Sequence, residues 1–262
     1  MTTHVGRFAG RTAVVTGGAG GIGRAVCAGF WAEGAAVAVV DVDADLVTAT
    51  VAELQAAGDP ERATGWTVDV RDPAAVAELM AGVNGRLGGP HVLVNLAGGS
   101  LGTPRDLGEI SPADLDTVLD VNVKGTFLCC QAAMPYLVET GCGVIVNTSS
   151  IGGRQPSPVT GVPYAAAKAA IVGLTKRLAK EVGPDRVRVN AIAPGLVLTE
   201  RLQRMFDAME PAEQREVVEA IPLRRLPDLT EIVEPILFLA SEAAGYITGV
   251  VLDVNGGRFM PL

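Results

Sequence analysis

The segment TAVVTGGAGGIGRAV, residues 12–26, decides the fold. Its opening TAVVT (12–16) is a β-branched apolar run of strand length, and a glycine-rich turn follows at once. Gly17, Gly21 and Gly23 then open a helical stretch over 21–33. Glycines at such a junction allow a tight turn and let backbone come close to a bound group at the positive end of the helix. A glycine-rich turn alone is a weak signal. Placed between a strand and a helix, it points to a dinucleotide whose pyrophosphate rests on the helix N-terminus.

Working outward, the same alternation continues along the chain. Further short runs are VAVVD (37–41), TGWTVDV (64–70, the weakest), HVLVN (91–95), GVIVN (143–147), VRVNAI (187–192) and VVLDV (250–254). Helix-length segments lie between them at 73–86, 111–120, 124–139 and 163–182, and another starts near Asp43. Continuous apolar strands are expected where a sheet is covered on both faces. Repeated βαβ units imply right-handed crossovers and a parallel sheet. The expected fold is therefore α/β: a Rossmann-type doubly wound parallel sheet of about seven strands with helices on both faces. No linker or composition shift divides the chain, so residues 1–262 are read as a single domain. The least regular stretches, 98–110, 151–162 and 195–222, follow strands, where such sheets bind ligands.

Composition narrows the partners. With 48% hydrophobic and 19% charged residues, the 262-residue chain is globular and can bury a large core. A net charge of −8 argues against a nucleic-acid backbone or an anionic membrane as partner. No apolar run approaches a bilayer span, and the N-terminus has no apolar signal core. Cys27, Cys129, Cys130 and Cys142 show no metal-ligand spacing, and two histidines cannot complete one. A reduced, cytoplasmic protein without a metal is expected, with Cys129 and Cys130 as small core residues.

Asp41 ends the second strand, about 20 residues beyond the glycines, where a carboxylate can accept the adenosine ribose hydroxyls. The same charge repels a 2′-phosphate, and no cation precedes Arg24 in the turn, so NAD(H) is preferred over NADP(H). Asp41 could also cap the helix that begins near Asp43.

The stretch VPYAAAKAA (162–170) holds one of three tyrosines and one of four lysines. Tyr164 and Lys168 are four apart and share a helix face. An ammonium beside a phenol favours the phenolate and draws its pKa down from about 10, as proton exchange near neutrality requires. Spacing alone equally describes a tyrosine packed beside a snorkelling lysine.

Taken in order, TGGAGGIG (16–23), NLAG (95–98), Asn122, SSIGG (149–153), YAAAK (164–168) and PGLVLT (194–199) resemble the motif series of the classical short-chain dehydrogenase/reductases. The resemblance runs on to TGVVLDVNGG (248–257) and so covers nearly the whole chain. It implies Tyr164 as the acid/base, Lys168 as the group that tunes it and binds the nicotinamide ribose, and Ser150 as the holder of the substrate oxygen. Ser149 would face the scaffold. Asn122 would anchor a water linking Lys168 to solvent, although it could instead bend its helix by bonding a backbone carbonyl. The implied cofactor set is Gly17, Gly21, Ile22, Gly23 and Asp41, with Asp69 and Val70 around the adenine. Asn95, Ala97 and Gly98 would lie on the adenosine side, and Pro194, Gly195, Val197 and Thr199 near the nicotinamide, alongside Tyr164 and Lys168. Thr199 could also cap a helix over 200–209.

Two departures stand out. Leu96 replaces a second asparagine that the family uses to brace its sheet, which implies altered packing there. The loop RQPSPVTGVP (154–163) also makes the Ser150–Tyr164 interval about one residue longer than in many members.

A lid is expected over 196–222, with Met205, Phe206 and Met209 beside Arg201 and Arg204. Arg154, just after the Ser150 loop, is a candidate partner for an acidic substrate group. The leading functional expectation is an NAD(H)-dependent oxidoreductase interconverting a secondary alcohol and a ketone. A 3-oxoacyl-thioester reductase of acyl-carrier-protein type is the alternative, and a non-catalytic NAD-binding regulator a third. The resemblance also implies a homotetramer or dimer, with the alanines around Tyr164 and the apolar end FMPL as contact surfaces.

Overall fold

Hydrophobic residues alternate sides along each strand, and this settles the layering. The computed structural model describes residues 6–157 and 159–261, without the side chains of Arg201 and Met205. The lid positions Arg201 and Met205 are thus described in backbone only, and Leu262 of the FMPL end lies outside the described residues.

Seven strands form one sheet in the order β3-β2-β1-β4-β5-β6-β7: β1 (Thr12–Thr16), β2 (Ala36–Asp41), β3 (Ala63–Thr67), β4 (Val92–Asn95), β5 (Val144–Thr148), β6 (Arg188–Pro194) and β7 (Val251–Val254). Every neighbouring pair is parallel. Ala13 and Val15 of β1 face one apolar layer with Val37 and Val39 of β2, whereas Val14 faces the other with Ala38 and Val40. That period of two explains why both faces of the sheet need helices.

The helices are α1 (Gly21–Ala32), α2 (Ala44–Ala56), α3 (Pro73–Leu87), α4 (Pro112–Leu119), α5 (Gly125–Glu139), α6 (Val162–Val182), α7 (Glu200–Asp207), α8 (Pro211–Glu219) and α9 (Thr230–Ala240). Phe30 and Trp31 of α1 pack with Ile232, Ile236 and Leu237 of α9 in the first layer. Leu79, Met80 and Val83 of α3 pack with Cys129, Cys130 and Leu137 of α5 in the second. All four cysteines are free thiols, and only Cys142 is exposed.

Two differences from the sequence expectation bear on the site. The third strand stops at Thr67, because Val68, Asp69 and Val70 leave the sheet to line a cleft. The predicted helices 111–120 and 124–139 are joined by a π-helical turn, Asp120–Lys124, with buried Asn122 at its centre. Such wide turns recur at functional sites.

Candidate active site

The chain reverses direction across the sheet between β1 and β4, and a crevice forms outside the strand ends at such a switch point. A cleft of about 1390 Å³ lies there, walled by Gly17, Asp41, Val70, Ala97, Thr148 and Thr199 among others. Each of these residues lies at or just beyond the carboxyl end of a different strand from β1 to β6.

Two positions in the turn after β1 leave no room for a side chain. Gly17 has φ 65°, and a Cβ on it would come within 2.8 Å of the Ala97 nitrogen. Gly23 sits so close to the Gly17 carbonyl that any side chain would overlap it. The N-cap of α1 is Gly20, which offers no capping side chain, and the first turn has no acidic residue. The N–H groups of Gly21 and Ile22 and the positive end of the helix are therefore left for an external anion. This bare backbone cradle fits a dinucleotide pyrophosphate.

Asp41 does not cap α2; Asp43 does, accepting from the Asp45 and Leu46 amides. The Asp41 carboxylate accepts from Val42 N–H at 2.8 Å and from Ala19 N–H at 3.3 Å, tying the end of β2 to the glycine turn. The cations nearby are engaged: Arg24 pairs with Glu53 at 2.6 Å, and Arg71 with Asp69 at 2.6 Å. Hydrogen bonding from Arg71 holds the Asp69 carboxyl below the usual range.

At the end of β4 one expectation needs correction. Asn95 does not turn its side chain to the cleft. It is buried between strands, donating to Asn147 Oδ1 at 2.9 Å, while Asn147 donates to Thr175 at 3.0 Å. The period of two separates Asn95, which points into the second layer, from Leu96, which packs on the first; Leu96 and Ala97, beyond the strand end, line the cleft. Asn95 is thus a sheet brace, and Leu96 packs against the first layer.

Gly98 follows with φ 141°, and a Cβ on it would run into the Asn122 amide. Asn122 donates to Gly99 O and Val118 O, each at 2.9 Å, and accepts from Gly99 N–H at 3.0 Å. The contact to Val118 reaches four residues back along the helix, so Asn122 both opens the π turn and clamps the loop after β4.

On α6, Lys168 is buried and its Nζ donates to Thr148 O at 2.9 Å. Burial brings the ammonium down from 10.5 to about 8, so it stays largely protonated at neutral pH. Nζ lies 5.6 Å from the centre of the Tyr164 ring, and both residues line the cleft with Thr148. Ser149 is buried and donates to Lys168 O at 2.7 Å, facing the scaffold. The Ser150 hydroxyl accepts from Gly152 N–H at 3.1 Å and caps a short helical turn, Ile151–Gly153.

After β6, Leu198 and Thr199 line the cleft, and a Cβ on Gly21 would meet the Thr199 methyl at 2.8 Å. Thr199 stands at the N-cap position of α7 but makes no capping bond. Pro194 and Val197 have buried side chains, Val197 in the first apolar layer, and Gly195 N–H pairs with Val254 O at 2.9 Å. These three support the loop rather than wall the cleft with side chains.

Arg154 is also corrected. It pairs with Asp253 of β7 at 3.0 Å, mostly buried, and lies 5.1 Å from the Phe259 ring. Its charge is matched internally by Asp253 rather than left open for an acidic substrate group. The Thr148 carbonyl that holds Lys168, and the Arg71 side chain, were not anticipated. A backbone acceptor has no sequence signature, and Arg71 lies beyond the strand end that the sequence placed too late.

Residues 17–258 match the family described as "Enoyl-(Acyl carrier protein) reductase". The chain is 38% identical over 251 residues to the (2S)-[(R)-hydroxy(phenyl)methyl]succinyl-CoA dehydrogenase subunit BbsD of Thauera aromatica, covering 95% of this chain and 96% of that one. It is 36% identical to the 3-oxoacyl-[acyl-carrier-protein] reductase of Thermotoga maritima over 254 residues, 96% of this chain and 98% of the relative. The solved structure of a short-chain dehydrogenase/reductase from Brucella melitensis, described as glucose/ribitol dehydrogenase, superposes with a TM-score of 0.87. That match has 32% identity and covers 98% and 99% of the two chains.

Proposed function

The chain belongs to the short-chain dehydrogenase/reductase family, and from that premise we propose that it interconverts a secondary alcohol and a ketone with NAD(H), using Tyr164 as acid/base. The observation that carries this reading is the Tyr164–Lys168 pair, with Nζ 5.6 Å from the ring centre, in the same cleft as the glycine turn.

A nicotinamide dinucleotide bound in the cleft supplies or accepts the hydride. The chain's own residues do the rest. The Gly21 and Ile22 amides receive the pyrophosphate, and Asp41 accepts the ribose hydroxyls. Lys168 Nζ, held by Thr148 O, presents a positive charge beside the Tyr164 ring at neutral pH although burial draws its pKa down to about 8. That charge stabilises the phenolate, so Tyr164 Oη can release a proton to a ketone oxygen or take one from an alcohol. Ser150 Oγ, released from its turn, would hold the same oxygen. Asn122, fixed at the π turn against which α6 packs, would order the water that returns the proton to Lys168.

NAD(H) is supported by Asp41 and by the carboxylate pairing of Arg24 and Arg71, which leaves neither of these two free for a 2′-phosphate. The test is a panel of secondary alcohols and ketones assayed with NAD(H) and NADP(H). Turnover with NAD(H) supports the reading; activity confined to NADP(H) contradicts the cofactor assignment.

A second reading is favoured by the relatives whose names specify acyl thioesters. A 3-oxoacyl-thioester reductase would reduce acetoacetyl thioesters faster than simple ketones, and the same panel separates the two. We also propose a cytoplasmic homo-oligomer, a dimer or tetramer, with residues 196–222 as the lid; sizing in solution tests the assembly.

A further inference from the structure

Four cationic side chains line the cleft among the described residues: Arg24, Arg71, Lys168 and Arg204. Three are engaged, Arg24 with Glu53, Arg71 with Asp69, and Lys168 with the Thr148 carbonyl. The Arg204 guanidinium forms no hydrogen bond or ion pair with any described residue. Glu200, one turn earlier on α7, lines the cleft without pairing to it.

The glycine turn presents backbone N–H groups but no cation, whereas a pyrophosphate brings two negative charges. Thr199 ties the start of α7 to that turn through its contact at Gly21. Arg204 is five residues further along, an axial rise of about 7.5 Å. Helical side chains lean toward the N-terminus of their helix, so the Arg204 side chain, which lines the cleft, leans axially toward the start of α7 and the glycine-turn end of the cleft. The direction, the length and the uncommitted charge converge on one place.

We propose that Arg204 is a cofactor-binding residue on the lid, pairing with the pyrophosphate of the dinucleotide. Cofactor binding then draws α7 over the cleft, and the lid closes only on the loaded protein. The inference rests on the dinucleotide reading above and adds a contact made by this chain's own lid.

The test measures binding to the full-length protein by calorimetry, with NAD+, ADP-ribose and adenosine as probes. Arg204→Ala should weaken NAD+ and ADP-ribose by about tenfold or more, while adenosine binds as before and so reports an intact fold. Arg204→Lys should recover part of the loss, and the wild-type affinity for ADP-ribose should fall more steeply with salt than that of Arg204→Ala. Digestion within residues 200–209 should slow on adding ADP-ribose in the wild type and not in Arg204→Ala. Unchanged ADP-ribose affinity in Arg204→Ala overturns the inference while leaving the dinucleotide reading intact. If the wild type binds neither NAD+ nor ADP-ribose, both the inference and the reading beneath it fall.

Discussion

Lys168 Nζ stands 5.6 Å from the centre of the Tyr164 ring and donates to the Thr148 carbonyl at 2.9 Å. The ammonium is buried, which costs free energy whenever it is charged. Burial lowers its folded-state value from 10.5 to about 8. Below about 8 both folded and unfolded chains carry the proton, and the penalty is fully present. Between about 8 and 10.5 the unfolded chain holds more protons, so stability rises with pH across that window. Lys168→Met lacks this titration. Urea unfolding near pH 7.5 and near pH 10 should therefore show the stability difference shifting toward the wild type by about 1–3 kcal/mol. A difference that stays constant, or shifts toward the variant, contradicts a buried, charged Lys168.

Cofactor choice depends on the carboxylate at the end of β2. Asp41→Asn keeps the side chain's size and one of the two oxygens that accept from the Ala19 and Val42 amides, and removes the charge. Binding measurements should show the affinity for NADP+ rising relative to NAD+ by about tenfold. An unchanged ratio would detach Asp41 from cofactor selection.

The Asn95–Asn147 bond predicts a separation of stability from binding. Asn95→Ala leaves the buried Asn147 oxygen without its 2.9 Å donor, at a cost of about 1–3 kcal/mol in thermal or urea unfolding. Dinucleotide affinity should stay within about twofold, because the side chain does not line the cleft. A large loss of affinity at unchanged stability would return Asn95 to the cofactor site.

The fold was legible because each strand is a short β-branched run and each junction carries turn chemistry, as at Thr16–Gly17. All seven expected strands are present, and their alternation made the parallel sheet readable. What escaped the sequence was direction and engagement. Asn95 lies in the expected loop motif, yet its side chain belongs to the sheet, since one residue's difference selects the face. Arg154 looked free in sequence because its partner Asp253 is 99 positions away. The π turn at Asn122 was hidden because it changes the winding of a helix rather than its composition. The apolar stretch Thr230–Ala240 had no element assigned to it, although α9 covers the first layer. Its interior Pro235 obscured the helical pattern.

The central claim is that the Tyr164 hydroxyl moves the proton. Tyr164→Phe removes that oxygen and leaves the ring beside Lys168. The account predicts that this variant binds NADH as the wild type does and loses about 10²–10⁴-fold in turnover across the alcohol and ketone panel. Turnover equal to that of the wild type on every substrate, with NADH still bound, would contradict it.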